Sequence, residues 1–232
     1  IGSRLVGSEM CIRDSISTTN LNLDQAAEKM RGLTGTRINL TIFSSQNKKV
    51  YQNQIIRKHI SLSPLISNID KTSSDSFVGY IRLNKFSSNA VEEMKTTIKT
   101  LEEEGAKSYI LDLRDNPGGL FESGINIARL WMNKGTIVYT INRQGIQNSF
   151  SSSGKPLTNS PLVLLVNKGT ASASEILAGA LQDSRRAILF GETTFGKGLI
   201  QSLFELSNNC GLAVTVAKYE TPNHKDIHKL GI

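Results

Sequence analysis

Two residues, Ser172 and Lys197, have types and surroundings that suit nucleophilic catalysis. Ser172 lies in the small-residue run GTASAS, which lets a substrate backbone approach closely. It also lies at the expected start of a helix, where free N–H groups could stabilise an oxyanion. Lys197 lies between glycines in TTFGKGLI, and desolvation without a carboxylate partner disfavours its ammonium form. The pair could therefore carry out acyl transfer, with serine as nucleophile and neutral lysine as base.

Each of these residues also has a purely structural interpretation. Ser172 and Glu175 match the S-x-x-E capping box, which needs no catalysis. Ser174 lies two positions later, and the residue pattern alone does not distinguish it from Ser172 as the nucleophile. Lysine heads usually reach solvent, so an ordinary exposed Lys197 is the simpler expectation for a lysine taken in isolation.

The lysine turn also nearly matches a phosphate-binding loop. Gly191 is followed after four residues by Gly196 and Lys197. Gly198, however, stands where a Ser or Thr would bind magnesium, and the next residues alternate as a strand instead of forming a helix. Nucleotide binding is therefore disfavoured.

A third turn could supply donors to an oxyanion. Pro117-Gly118-Gly119 follows an apolar run, so its backbone N–H groups would face the same sheet edge as the other two turns, although a simple tight turn explains it equally well. The three histidines, His59, His224 and His228, are too scattered to form a Ser-His-Asp triad or a metal site. We therefore expect no metal and no cofactor.

The second part of the chain alternates strands and helices, which predicts an α/β fold with a helix-covered parallel or mixed sheet. The apolar spacing predicts helices over 89–104, 125–131 and 174–182. Strands are predicted over 77–83, 109–113, 136–141, 162–166, 186–190, 199–206 and 212–217.

The first part of the chain predicts a smaller unit. A helix over 23–31 precedes two extended runs, 37–43 and 50–60. The segment 61–76 is rich in Ser, Asn and Asp and favours a linker or domain boundary. Residues 1–15 show neither helical nor strand periodicity, and they back-translate to a transposon-type sequencing adaptor. We therefore expect an assembly artefact there, with a natural disordered terminus as the alternative.

Composition excludes several classes of protein. The 232 residues are 38 % hydrophobic and 20 % charged, which is typical of a globular chain, and no run reaches the roughly 18–20 apolar residues of a membrane span. Two cysteines, Cys11 and Cys210, allow one disulfide at most. The net charge of +7 would suit nucleic acid, but the basic residues are scattered, so we expect no nucleic-acid partner.

Taken together, the turns resemble those of the carboxyl-terminal processing, or tail-specific, proteases. The matching strings are LDLRDNPGGL, VNKGTASASEILAGALQDSRRA, GETTFGKGLIQS and LAVTVAKYETP. Their order and spacing agree with the family over residues 77–232, and the combination is far more specific than any single string. The run NKGTASASEILAGAL and the ending YETPNHKDIHKLGI are most similar to the photosynthetic branch, which removes the C-terminal extension of a photosystem II reaction-centre polypeptide.

The resemblance assigns a role to each candidate. It implies that Ser172 is the nucleophile, that Lys197, twenty-five positions later, is its general base, and that Gln201 positions the lysine amine. It implies an oxyanion hole made by the N–H groups of Gly118 and Ala173, with Gly119 as the alternative to Gly118. No metal or cofactor is implied.

The resemblance also implies the architecture. Residues 77–232 would form a ClpP/crotonase-like protease core and residues 16–60 the second half of a PDZ domain, with 61–76 between them. Because the family extends beyond both ends, we expect a truncated chain of reduced competence.

The implied partners are the C-terminal tails of proteins, including membrane proteins, and the implied location is the periplasm or the thylakoid lumen. A general periplasmic quality-control protease and a catalytically impaired peptide-binding fragment are the alternatives.

Overall fold

The chain forms two compact units, Ile1–Leu62 and Ser63–Ile232. Their boundary falls inside the segment 61–76, where the sequence favours a linker. A computed structural model describes residues 9–13, 16–17, 21–44, 47–58, 63–72, 76–206 and 210–232. His59 lies outside the described residues, so its predicted isolation from the other histidines stays a prediction.

Where the structure describes the first unit, it forms one helix and one antiparallel sheet. Its elements are β1 (Glu9–Arg13), β2 (Ile16–Ser17), α1 (Leu23–Met30), β3 (Arg37–Ser44) and β4 (Lys49–Ile56), with the strands in the order β2-β1-β3-β4. The helix and hairpin predicted from the sequence are therefore present. A strand at β1 was not expected, because its residues lack alternation; it forms by main-chain pairing along β3.

The described residues of the second unit form two sheets and three helices. Its elements are β5 (Leu65–Lys71), β6 (Phe77–Leu83), α2 (Ala90–Glu103), β7 (Ala106–Asp112), α3 (Phe121–Trp131), β8 (Gly135–Asn142), β9 (Gly145–Ser152), β10 (Leu162–Val166), α4 (Ala173–Asp183), β11 (Ile188–Gly191), β12 (Leu199–Glu205) and β13 (Gly211–Glu220). The predicted α/β class is confirmed. Among the described residues, none of the helices has the length and apolarity needed to cross a bilayer.

The larger sheet has five strands in the order β11-β10-β7-β6-β5. Four neighbouring strands, β11, β10, β7 and β6, are parallel, and β5 pairs antiparallel with β6 at one edge. The carboxyl ends of β7, β10 and β11 therefore meet at a single sheet edge, which is where ligands collect in open parallel sheets.

The second sheet is antiparallel, in the order β12-β13-β8-β9. Helix α4 contacts α3, the strand β8 of this sheet and the strand β11 of the larger one. Every residue from Ala173 to Leu181 is buried, which explains why the sequence of α4 is rich in small and apolar residues on all sides.

In the second unit, two strands, β5 and β9, lie where the sequence predicts none. β5 occupies the centre of the segment favoured as a linker, because it is an edge strand in which Leu65 alone is buried and its other side chains are polar or partly exposed. β9 is likewise an edge strand with mostly exposed side chains. A further difference is that the predicted strands belong to two separate sheets, not one.

Asp112 ends β7 and anchors the glycine turn that follows. Its fully buried carboxylate accepts two hydrogen bonds from the Arg114 guanidinium, at 2.9 and 2.7 Å, and one from the Tyr80 hydroxyl at 2.6 Å. Burial acts to raise the pKa of Asp112, but the hydrogen bonds from Arg114 and Tyr80 outweigh it and hold the pKa below its usual value. Burial and the hydrogen bond to Asp112 raise the pKa of Tyr80.

Removing apolar volume from the larger sheet should destabilise the second unit. We expect Leu164→Ala, at a fully buried position of β10, to lower the free energy of unfolding by about 2–5 kcal/mol. The matched control Ile188→Ala, at a side chain 72 % exposed on β11, should change it by less than about 0.5 kcal/mol. Urea unfolding followed by the fluorescence of Trp131, the chain's single tryptophan, measures both. Equal effects of the two variants would contradict the described core.

The Asp112 carboxylate should make stability depend on pH. We expect Asp112→Asn to lower the free energy of unfolding by about 1.5–3 kcal/mol at neutral pH, because hydrogen bonds to a charged group are lost. The folded-state pKa lies below the model-peptide value of 3.8, so the carboxylate's contribution is complete above that pH and is lost as the pH falls through the folded-state pKa. Urea titrations at successive pH values should show the difference between the two proteins shrinking towards acid; a constant difference would argue against a charged Asp112.

Candidate active site

Three turns meet at the carboxyl edge of the larger sheet, as the sequence predicts. The turn RDNPGGL follows β7, NKGTAS follows β10, and GETTFGKG follows β11. Because these strands are direct neighbours in the order β11-β10-β7, the turns are neighbours too.

Ser172 is the N-cap of α4 and has an unusual backbone conformation. Its φ is 59° and its ψ is −118°, a combination that costs energy for a residue with a side chain and often marks functional positions. Its side chain is half-buried. Ser174, in contrast, is fully buried, and its hydroxyl donates to the Asn116 carbonyl at 3.0 Å. The geometry therefore favours Ser172 over Ser174 as the reactive hydroxyl.

The glycine turn lies directly against Ser172. Gly118 has a φ of +94°, and a Cβ at this position would lie 2.9 Å from the Ser172 Cβ and 2.8 Å from the Ala173 nitrogen. Such distances are well below van der Waals contact, so any side chain here would push the two turns apart. The sequence-predicted residues Gly118, Ala173 and Ser172 are thus brought together.

Asn116 holds these two turns in place, and the sequence analysis missed it. Its buried side chain donates to the Leu83 carbonyl at 2.6 Å and accepts from the Gly118 N–H at 2.9 Å. Its own carbonyl accepts from the Ala171 N–H at 3.0 Å. The one sequence signal for this residue is an Asn before a Pro-Gly turn, which is common in turns of every kind.

The amide donors near Ser172 differ in their availability. The Gly118 N–H is engaged by Asn116, whereas the N–H groups of Gly119 and Ala173 have no acceptor among the residues that the structure describes. Ala173 is the first residue of α4, so its N–H also benefits from the positive end of the helix dipole. An anion beside Ser172 would therefore meet Ala173 and Gly119 as its open donors.

The lysine turn is joined to Ser172 by the carboxylate of Glu175. This side chain is fully buried, and its Oε2 accepts from the N–H of Ser172 and the N–H of Lys197, both at 2.8 Å. Its Oε1 accepts from the Thr194 hydroxyl and the Gly196 N–H, both at 2.6 Å. The S-x-x-E motif predicts the hydrogen bond that the Ser172 N–H donates to Glu175. The hydrogen bonds that the lysine turn donates to Glu175 connect residues about twenty positions apart, so no local sequence motif predicts them.

The side chains of Lys197 and Gln201 make no hydrogen bond with Ser172 in this structure. Lys197 is exposed, and its amine makes no hydrogen bond with Ser172 or Gln201. Gln201 is exposed on β12, beside a bulge between Ile200 and Gln201. The expected desolvation of Lys197 is therefore wrong for this arrangement, because its side chain is exposed although the flanking Gly196 and Gly198 are buried. A strand follows the lysine, so the helix of a phosphate-binding loop is absent here.

His224 lies at the surface, whereas the Nδ1 of His228 is buried without a hydrogen-bond partner among the described residues. The ring of His224 is exposed and stacks on Tyr139 with a centroid distance of 4.4 Å. His228 donates its main-chain N–H to the Asp226 carboxylate at 2.9 Å. Across the described part of the chain, groups of three or more His, Cys, Asp or Glu residues that could hold a metal ion do not occur.

Comparison with known proteins finds relatives over nearly the whole chain. The chain is 58 % identical over 219 residues to the carboxyl-terminal-processing protease of Synechocystis, covering 94 % of this chain and 51 % of that protein. It is 44 % identical over 225 residues to the chloroplastic carboxyl-terminal-processing peptidase 2 of Arabidopsis thaliana, covering 94 % of this chain and 43 % of the relative. The chain thus spans about half the length of these relatives.

A solved structure and a family comparison agree with these relatives. The structure named photosystem II D1 C-terminal processing protease superposes with a TM-score of 0.69 at 34 % identity, over 97 % of this chain and 61 % of that one. The family model described as "Peptidase family S41" matches residues 77–232, and this range includes all three turns of the site. This chain therefore belongs to peptidase family S41.

Proposed function

We propose that this chain carries the catalytic core of a serine endopeptidase that cleaves proteins near their C-termini, with Ser172 as nucleophile and Lys197 as base. The observation that carries the proposal is the single oxygen of Glu175 that accepts from the N–H groups of both residues. Their main chains are therefore no more than two hydrogen-bond lengths apart, at the N-terminus of a buried helix. The carboxyl-terminal-processing relatives support the class of reaction.

In the proposed reaction, neutral Lys197 removes the proton from the Ser172 hydroxyl as its oxygen attacks a peptide carbonyl. The negative charge that forms on the carbonyl oxygen is stabilised by the Ala173 N–H together with Gly118 or Gly119. The protonated lysine gives its proton to the departing amine, which leaves an acyl-enzyme. Water, deprotonated by the same lysine, then releases the shortened chain and restores the hydroxyl. Every step is a proton transfer or an acyl transfer, so none needs a metal or cofactor.

Substrate binding would complete this site. The exposed Lys197 amine must turn from solvent towards Ser172, and a peptide lying over the turn would exclude the water that stabilises its ammonium form. Gln201, four residues further along β12, is proposed to hold the amine in that position. The strained backbone of Ser172 fits the role of nucleophile, because it presents the serine side chain at the sharp turn before α4.

The proposed substrate class is the C-terminal tail of a protein, and the photosystem II D1 polypeptide named in the similar structure is the first candidate. Processing in the thylakoid lumen or the periplasm would follow from that substrate. The helix and hairpin of the first unit are proposed to be the second half of a PDZ domain, followed by a ClpP/crotonase-like core.

Removal of either member of the dyad should abolish cleavage. We expect Ser172→Ala and Lys197→Ala each to lower kcat by a factor on the order of 10⁴ or more, since members of a catalytic unit act together. The measurement is hydrolysis of a peptide that corresponds to the D1 C-terminal extension, followed by mass spectrometry. Ser184→Ala, at the other end of α4, and Lys168→Ala, at a side chain 82 % exposed in the neighbouring turn, are the matched controls. Normal cleavage by either dyad variant would refute the assignment.

Glu175 should be required for both stability and activity. Glu175→Gln preserves the side chain's shape but places an NH₂ donor against main-chain donors that now face a carboxylate oxygen. We expect the free energy of unfolding to fall by about 1–3 kcal/mol and kcat to fall at least roughly tenfold. Glu192→Gln, at an exposed carboxylate that pairs with Lys168 at 3.7 Å, is the matched control and should have little effect. If both variants behaved like the parent chain, Glu175 would not join the turns.

A further inference from the structure

We propose that Tyr219 is a positioning residue for Lys197, which holds the main chain of the lysine in the orientation that lets its amine reach Ser172. This inference rests on the proposed serine and lysine dyad. Tyr219 lies on β13 and is only 2 % exposed. Its hydroxyl donates to the Lys197 carbonyl, and its N–H donates to the Gly198 carbonyl at 3.0 Å.

Tyr219 and Glu175 together hold Lys197 from both sides. The N–H of Lys197 donates to the Glu175 carboxylate at 2.8 Å, and its carbonyl accepts from the Tyr219 hydroxyl. The peptide planes before and after the lysine Cα are thus each bound to a buried side chain, which restrains the two soft torsions of the residue. The side-chain torsions remain free, so the direction of the Cα–Cβ bond decides which positions the amine can reach.

Packing alone does not account for the hydroxyl of Tyr219. The ring belongs to the buried core, where a phenylalanine would fill nearly the same space. Burying a hydroxyl without a partner is unfavourable, so a buried tyrosine is expected to have a specific acceptor. That acceptor is the carbonyl of the proposed catalytic base, whose N–H is bound by Glu175.

The surroundings of the phenol keep it a donor. Burial and, after it, the negative charge of Glu175 raise the pKa of the Tyr219 hydroxyl. The hydroxyl therefore stays protonated at neutral pH and can bond the Lys197 carbonyl throughout a catalytic cycle. It binds the same residue, Lys197, whose N–H donates to the carboxylate that joins the turns.

A second buried tyrosine provides a matched control. Tyr109 is 1 % exposed, its ring packs edge to face against Trp131 at a centroid distance of 5.4 Å, and its hydroxyl lies 3.5 Å from the Ile98 carbonyl on α2. Tyr219→Phe and Tyr109→Phe each remove one hydroxyl from the core of the same unit. The first variant releases the lysine carbonyl, and the second does not.

The test compares these two variants by peptide cleavage and by hydrogen–deuterium exchange. We expect Tyr219→Phe to lower kcat by about 10- to 100-fold with KM within about twofold of the parent value, because the base is misplaced and the substrate contacts are kept. In Tyr219→Phe, the amides of residues 194–198 should exchange faster than in the parent chain. Exchange elsewhere in the core should be unchanged. Tyr109→Phe should leave kcat and this exchange unchanged.

Each other result overturns the inference. Unchanged kcat in Tyr219→Phe means that the hydroxyl does not position the base, whether or not exchange is faster. An equal loss in Tyr109→Phe means that general packing is responsible. The proposed function fails separately, if Ser172→Ala and Lys197→Ala cleave as the parent does or the parent does not cleave; the exchange comparison then still decides whether Tyr219 holds the lysine turn.

Discussion

The buried carboxylate of Glu175 is the interaction on which the rest of the site depends. A carboxylate without solvent is costly unless hydrogen bonds replace its hydration, and here four donors from two separate turns do so. Neither turn can move away without leaving acceptor positions of the carboxylate unsatisfied. The Ser172 turn and the lysine turn are therefore held together by Glu175, which is the preorganisation that the proposed catalysis requires.

The parallel sheet brings those turns within reach of Glu175. Strands β7, β10 and β11 are adjacent and run in the same direction, so the segments that follow them emerge side by side. Close approach then depends on small residues: Gly118 contacts the serine turn, and Gly124 of α3 lies against Ala173 at the start of α4. A larger side chain at either position would separate main chains that the site needs in contact.

Elements with strong local patterns were predictable, whereas edge strands were not. The helix predicted over 89–104 is α2 (Ala90–Glu103), because its apolar residues recur at helical spacing and it buries that face. Strand β10 was predicted from its continuous apolar run. β5 and β9 escaped prediction because an edge strand needs little burial: each is held by main-chain pairing with the next or preceding strand of a hairpin, so its side chains need show no apolar alternation.

The same division applies to the site. The sequence by itself determined the chemistry-bearing residues, since a serine in a small-residue turn before a helix and a lysine between glycines are local features of Ser172 and Lys197. Tertiary structure alone decided that Ser174 is buried and engaged, that Glu175 bonds the lysine turn, and that Tyr219 bonds the Lys197 carbonyl. The physical reason is that these contacts join strands and turns far apart in the chain, and a local pattern carries no information about which distant donor will face a buried acceptor.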